Sequence, residues 1–224
     1  MAYTRKQMVD LALEFKGATQ GSVRHRDLVN TFNKVKPHGE VANYRCPWCA
    51  ITWTALGIKG GYTPKNFPMS YNCGQLITDA KKLDMWIEKD SYVPEIGDGV
   101  IYSWSDNGKG DCKTGASHVG MVISVNKKKK TFKVLEGNKG ESSTVGVRTM
   151  SFNGQYIRGF IHPKYEGDDK KDTPKKKTNK ELAQEIIAGK GNWGEGNTRK
   201  KRLTEAGYDY YAVQKEINKL LGER

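Results

Sequence analysis

Cys46-Pro47-Trp48-Cys49-Ala50-Ile51-Thr52-Trp53-Thr54-Ala55-Leu56-Gly57 is an abrupt apolar run in a polar neighbourhood. Pro47 near its first turn and Gly57 at its far end bracket it as a buried helix. Residues 18–45 before it are polar and loop-like, with a short helix expected at Arg26–Phe32. Further upstream, Met8, Leu11, Ala12 and Phe15 recur at helical spacing and predict an amphipathic helix over Thr4–Phe15, with Gly17 as its stop. Downstream, Leu76, Ile77, Ala80 and Leu83 predict another helix over residues 74–86. The apolar period then falls to two. Strands are expected at Gly99–Trp104, His118–Asn126, Thr131–Glu136 and around Tyr156–His162. Asp106-Asn107-Gly108, the Lys127–Lys130 run and Gly137-Asn138 supply the turns. Helices first and antiparallel strands after describe an α+β domain with N-terminal helices packed on an antiparallel sheet.

Residues 164–178, KYEGDDKKDTPKKKT, have almost nothing to bury and read as a charged linker between a domain over 1–163 and a module over 179–224. The module predicts three helices, at Asn179–Ala188, Arg199–Ala206 and Tyr208–Leu221, around a core that is marginal for so few residues. The whole chain has 224 residues, 38 Lys+Arg against 25 Asp+Glu, and a formal net charge of +13. Such a charge draws a protein to polyanions, whether nucleic acid or an anionic wall, and does not choose between them. The Lys127–Lys130 and Lys175–Lys177 runs suit phosphates, but neither is interleaved with aromatics as a stacking platform would be, so nucleic acid is the weaker expectation. No apolar run approaches membrane-spanning length, and the first residues hold charges instead of an apolar leader. The expectation is therefore a protein made in the cytoplasm without membrane insertion.

Four cysteines in a cytoplasmic product are thiols, ligands or nucleophiles before they are disulfides. A thiol attacks a carbonyl only as a thiolate, and its pKa falls at a helix N-terminus or beside a histidine. Cys49 sits where the apolar helix starts. His118, at the head of a strand, is the best base. Pairing of that strand with Thr131–Glu136 through the Lys127–Lys130 turn brings Glu136 or Asn138 near His118, and either could hold the ring in one tautomer. Gly120 allows close backbone approach at that point. The order cysteine, histidine, then carboxylate or amide is that of papain-like hydrolases. Two rivals are weaker. Cys46-Pro47-Trp48-Cys49 is a redox spacing, but Pro37–Tyr44 offers no strand before it. Cys46 and Cys49 also have zinc spacing, but Cys73 and Cys112 are isolated, so no metal is expected.

Trp48-Cys49-Ala50, Gly97-Asp98-Gly99-Val100-Ile101-Tyr102, Ser117-His118-Val119-Gly120-Met121-Val122 and Glu136-Gly137-Asn138 together resemble the CHAP family over roughly residues 5–165. CHAP domains are papain-like, cysteine- and histidine-dependent amidohydrolases or peptidases, common in phage endolysins and bacterial wall hydrolases. The resemblance implies Cys49 as nucleophile, His118 as base, Glu136 as orienting carboxylate and Asn138 as a nearby amide, with Asp98 in a structural turn. Gly39–Arg45 lacks the acidic loop of the calcium-binding members, so no cofactor is expected. The module, through Ala188-Gly189-Lys190, Trp193-Gly194, Arg199, Arg202-Leu203 and Gly207-Tyr208-Asp209-Tyr210, is similar to the wall-binding repeat of pneumococcal phage lysozymes. That similarity implies muropeptide binding, with Trp193 stacking on sugar, Arg199 and Arg202 pairing with stem carboxylates, and Tyr208 lining the site or filling the core. Both resemblances point to Gram-positive peptidoglycan; the lack of an apolar leader suits a phage endolysin released through a holin, and the single binding repeat suggests self-association through the module as a further partner.

Overall fold

The computed structural model describes residues 1–109, 111–168 and 177–222, and the chain divides into two compact units, Met1–Asp169 and Lys170–Arg224. In the first unit, polar caps set three of the helices. Thr4 opens α1 (Arg5–Glu14) with a reciprocal box, its hydroxyl accepting from Gln7 N–H while the Gln7 side chain accepts from the Thr4 backbone. Ser22 caps α2 (Val23–Val35), and Asn72 caps α4 (Cys73–Lys82) by accepting from the N–H groups of Gly74 and Gln75. The apolar helix α3 (Cys49–Lys59) has Trp48 at its N-cap and no side-chain cap bond.

The strands β1 (Trp86–Ile87), β2 (Gly99–Tyr102), β3 (His118–Asn126), β4 (Thr131–Lys139), β5 (Thr144–Ser151) and β6 (Ile157–Ile161) form one antiparallel sheet in the order β1-β6-β2-β3-β4-β5. Lys127–Lys130 is the turn between β3 and β4, which pair with Met121 opposite Leu135. Ile101, Val119, Met121 and Leu135 pack with Met8, Leu28, Phe32, Ile51, Trp53 and Leu56 in one buried cluster. Val100, Tyr102, Val122, Phe132, Val134 and Phe160 form a second cluster. Successive residues of β2 thus enter different clusters, which is why its apolar alternation is slack. Each fully buried residue of this size contributes about 1.5–3 kcal/mol.

Several expected boundaries move. Gly57 does not end α3, which continues to Lys59 with Gly60 after it. A Cβ on Gly57 would stand 2.6 Å from the Phe67 ring, so glycine there admits Phe67, which stacks on Trp53. The helix at Arg26–Phe32 is the middle of the longer α2. The helix expected over 74–86 stops at Lys82, because Asp84 takes a positive φ and Met85 N–H donates back to Ala80, leaving Trp86–Ile87 to pair with β6. The strand β5 was not anticipated.

The expected linker also begins too early. Tyr165 is buried, with its hydroxyl donating to Gly97 O, and Asp168 accepts from Arg5 Nη2 at 2.7 Å. The first unit therefore holds its chain through 168; residues 169–176 of the linker lie outside the described residues. Asp98, at the Gly97-Asp98 turn before β2, is the hub of this closure. Its fully buried carboxylate accepts from Arg5 Nη1 at 2.8 Å, Tyr92 Oη at 2.6 Å, His162 Nδ1 at 2.8 Å and Glu95 N–H at 2.8 Å. Four donors saturate a carboxylate that burial alone would penalise. Asp98 is structural, as expected.

In the second unit, Thr178 and Asp209 cap α5 (Asn179–Ile187) and α7 (Tyr210–Leu221), with α6 (Gly196–Glu205) between them. Leu182, Ala183, Leu203, Val213 and Ile217 form the core.

Candidate active site

Cys49 is the first residue of α3. No side chain competes for the free N–H groups of that first turn, and the positive end of the helix favours an anion there. Cys49 is 7% exposed. Its thiol is held well below the ordinary thiol range. A hydrogen bond from Cys73 is the largest cause, followed by opposing burial, then by His118 and the Val119 N–H. His118, first residue of β3 and 6% exposed, is pushed the other way, to about 9. Burial disfavours its charge, and contacts with Cys49 and Glu136 more than offset that burial. The two shifts run in the directions that favour a thiolate beside an imidazolium.

His118 Nε2 lies 3.4 Å from Glu136 Oε2, an ion contact short of an aligned hydrogen bond. With Nε2 turned to Glu136, Nδ1 is left for the Cys49 sulfur. Glu136, fully buried on β4, is itself held by Arg148 of β5, whose Nε donates to Oε1 at 2.7 Å and Nη2 to Oε2 at 3.1 Å. Burial raises the Glu136 carboxyl, but His118 and Arg148 outweigh it and keep it below the usual carboxylate range. Glycine makes this crossing possible. A Cβ on Gly120 would stand 2.8 Å from Glu136 Cγ and 2.6 Å from Val134 Cγ1. On Gly137 it would stand 2.1 Å from Thr52 Oγ1, so β4 lies directly against the first turns of α3. Tyr102 and Trp104 flank the His118 ring at centroid distances of 5.8 and 5.7 Å, and the Arg148 guanidinium lies over Trp104 at 5.2 Å.

Asn138 departs from expectation. Its Oδ1 accepts from Ser143 Oγ at 2.6 Å, and that oxygen accepts from Trp48 Nε1 at 2.8 Å. Its positive φ falls within the β4–β5 irregularity, and its amide oxygen is taken up by Ser143. Asn138 thus fixes the residue before the cysteine instead of orienting His118, and Glu136 alone of the two expected orienters faces it. Cys46 Sγ accepts from Asn43 N–H and Cys49 meets Cys73, so the C-x-x-C pair is not joined. Among the described residues no cluster of three or more His, Cys, Asp or Glu is arranged for a metal ion, and no helix is long and apolar enough to cross a membrane.

A family model of the CHAP domain matches residues 37–138, and a model of the CW_7 repeat matches residues 180–221. The chain carries a CHAP domain. The matched span holds Cys49, His118, Glu136 and Asn138, and the CW_7 span covers all three C-terminal helices except the first residue, Asn179. A CHAP domain is a cysteine- and histidine-dependent amidohydrolase or peptidase fold of papain-like type, and with a cell-wall repeat it marks a wall-associated protein of the peptidoglycan-hydrolase kind. No curated protein matches the chain.

In the CW_7 repeat, Trp193 and Arg199 line one surface depression with Lys190, Asn192 and Glu195. Trp193 is half-buried, meets Tyr208 edge-on at 6.2 Å and donates to Glu185 Oε1 at 3.3 Å. Arg199 Nε donates to Gly194 O at 2.9 Å. Arg202 hydrogen-bonds Asn192 and so braces the depression's rim, while Tyr208 packs toward the core and accepts from Lys177 N–H at 3.1 Å. Of the four expected binding residues, two line the depression and two support it. Sequence reasoning missed Arg148, on the unexpected β5, and Cys73, whose position 24 residues from Cys49 carries no spacing signal.

Proposed function

We propose that the protein is an endolysin-type peptidoglycan hydrolase. It cleaves an amide bond in the peptide stem or cross-bridge of Gram-positive wall, after holin-type release from a host cytoplasm. The observation that carries the reading is Cys49 at an uncapped helix N-terminus, its thiol favoured as the anion beside a His118 whose Nε2 meets a buried Glu136. The thiolate adds to the amide carbonyl. Cys49 N–H, free at the helix start, donates to the oxyanion. His118 protonates the leaving amine, and water then hydrolyses the thioester. The CW_7 depression holds muropeptide and raises the local substrate concentration for the catalytic unit.

The test is turbidity loss of purified Gram-positive walls with wild type, Cys49→Ala and Cys46→Ala, followed by assay of released amines and reducing sugars. Lysis with new amines, no new reducing ends, and loss in Cys49→Ala alone supports the reading. Lysis retained by Cys49→Ala, or new reducing ends, overturns it.

A further inference from the structure

Cys73 lies outside every motif of the sequence, yet its Sγ stands 3.9 Å from Cys49 Sγ. Both thiols are buried, and each occupies the first position of its helix, Cys49 of α3 and Cys73 of α4. Asn72 caps α4 and takes the Gly74 and Gln75 N–H groups on its own oxygen, which fixes the first turn that presents Cys73. Two ionised sulfurs at this separation would repel strongly in a buried setting, so only one carries the charge. His118 sits beside Cys49, and the Val119 N–H points at it, whereas Cys73 has neither. The charge therefore rests on Cys49, and Cys73 keeps its proton.

We propose that Cys73 is a positioning residue for the nucleophile: its S–H donates to the Cys49 thiolate, stabilising that sulfur alongside His118 and holding it in place. This inference rests on the reading of Cys49 as the attacking thiolate. A hydrogen bond to the charged form favours that form, as in paired-thiol sites where one sulfur is activated by its neighbour. His118 is then relieved of being the sulfur's only side-chain donor, so the thiolate survives while the imidazolium gives its proton to the leaving amine.

The experiment follows Cys49 alkylation by iodoacetamide against pH in the full chain, under reductant, with the modified peptide quantified by mass spectrometry. It compares wild type with Cys73→Ser, Cys73→Ala and Cys73→Val. Wild type is expected to show an acid-shifted midpoint for Cys49. Cys73→Ala moves that midpoint to higher pH and lowers the rate several-fold on its acid side. Cys73→Val, which fills the volume without a donor, does the same and serves if the smaller side chain unfolds the site. Cys73→Ser keeps a donor and restores most of the shift. An unchanged midpoint in the Ala and Val variants overturns the proposal, as does an equal displacement in Ser and Ala. An ordinary thiol midpoint already in wild type overturns the thiolate reading of the active site itself, so the two failures are distinguishable.

Discussion

Replacing Glu136 by Gln keeps the shape of the side chain and removes its charge. His118 stands at about 9 against an ordinary 6.5, a difference of about 3 kcal/mol in favour of imidazolium. Burial works against that charge, so the Cys49 thiolate and Glu136 supply all of it between them. If Glu136 supplies about half, its loss weakens the imidazolium by about 1.5 kcal/mol, roughly ten-fold in its ionisation. Below the His118 value the ring holds the proton that the leaving amine needs; above it, that proton is gone. The alkaline limb of kcat/KM, expected near pH 9 in the wild type, should therefore move down by about one pH unit in Glu136→Gln. Stability follows the same sign. A histidine whose folded value is raised stabilises the fold fully below about 6.5 and loses that contribution as pH rises through about 9. The stability difference between wild type and variant should thus shrink above that range, leaving only the part due to Arg148. The assays are amine release from walls across pH and the NMR titration of the His118 Cε1 proton. An alkaline limb that stays near 9 while activity falls would refute the argument, because Glu136 would then act on ring orientation and not on its charge.

Gly120→Ala places a methyl group against Glu136 Cγ and Val134 Cγ1; it should cost about 1–3 kcal/mol by overpacking and, by pushing Glu136 aside, lower the His118 titration in the same NMR experiment. Asp98→Asn leaves the buried Arg5 and the half-buried His162 facing a neutral amide; it should cost about 3 kcal/mol, read as a fall of roughly 6–10 °C in Tm, without moving the alkaline limb. Arg199→Ala removes one of the cations, with Lys190, that line the CW_7 depression; binding to purified walls should fall about ten-fold in a pull-down, with the helical circular dichroism unchanged.

The parts of the site that local pattern fixes were legible in the sequence. The Lys127–Lys130 turn joins two period-two segments, and their pairing alone carries Glu136 toward His118. The apolar run that starts at Cys49 marks a helix beginning at a thiol. What escaped depends on contacts between distant segments. Gly57 carries a stop signal, but its small size serves Phe67, ten residues away in the chain. The strand β5 hides because its residues are mostly half-exposed, with Gly146 and Arg148 interrupting an apolar face, so the arginine that holds Glu136 had no expected strand to sit on. Asn138 lies in the expected turn, but a positive φ there decides which way its amide points, and no periodicity reports a single dihedral. Tyr165 looks like one aromatic in a charged tail until the notch beside Gly97 is known.

The contacts of Arg5 reach further than stability. This residue, at the head of the first helix, holds Asp168, the last described residue of its unit. The catalytic unit is thus a loop of chain fastened at both ends by a single side chain. A unit closed on itself in this way is a cassette. The first unit draws its closing contacts from its own residues, near its start and near its end.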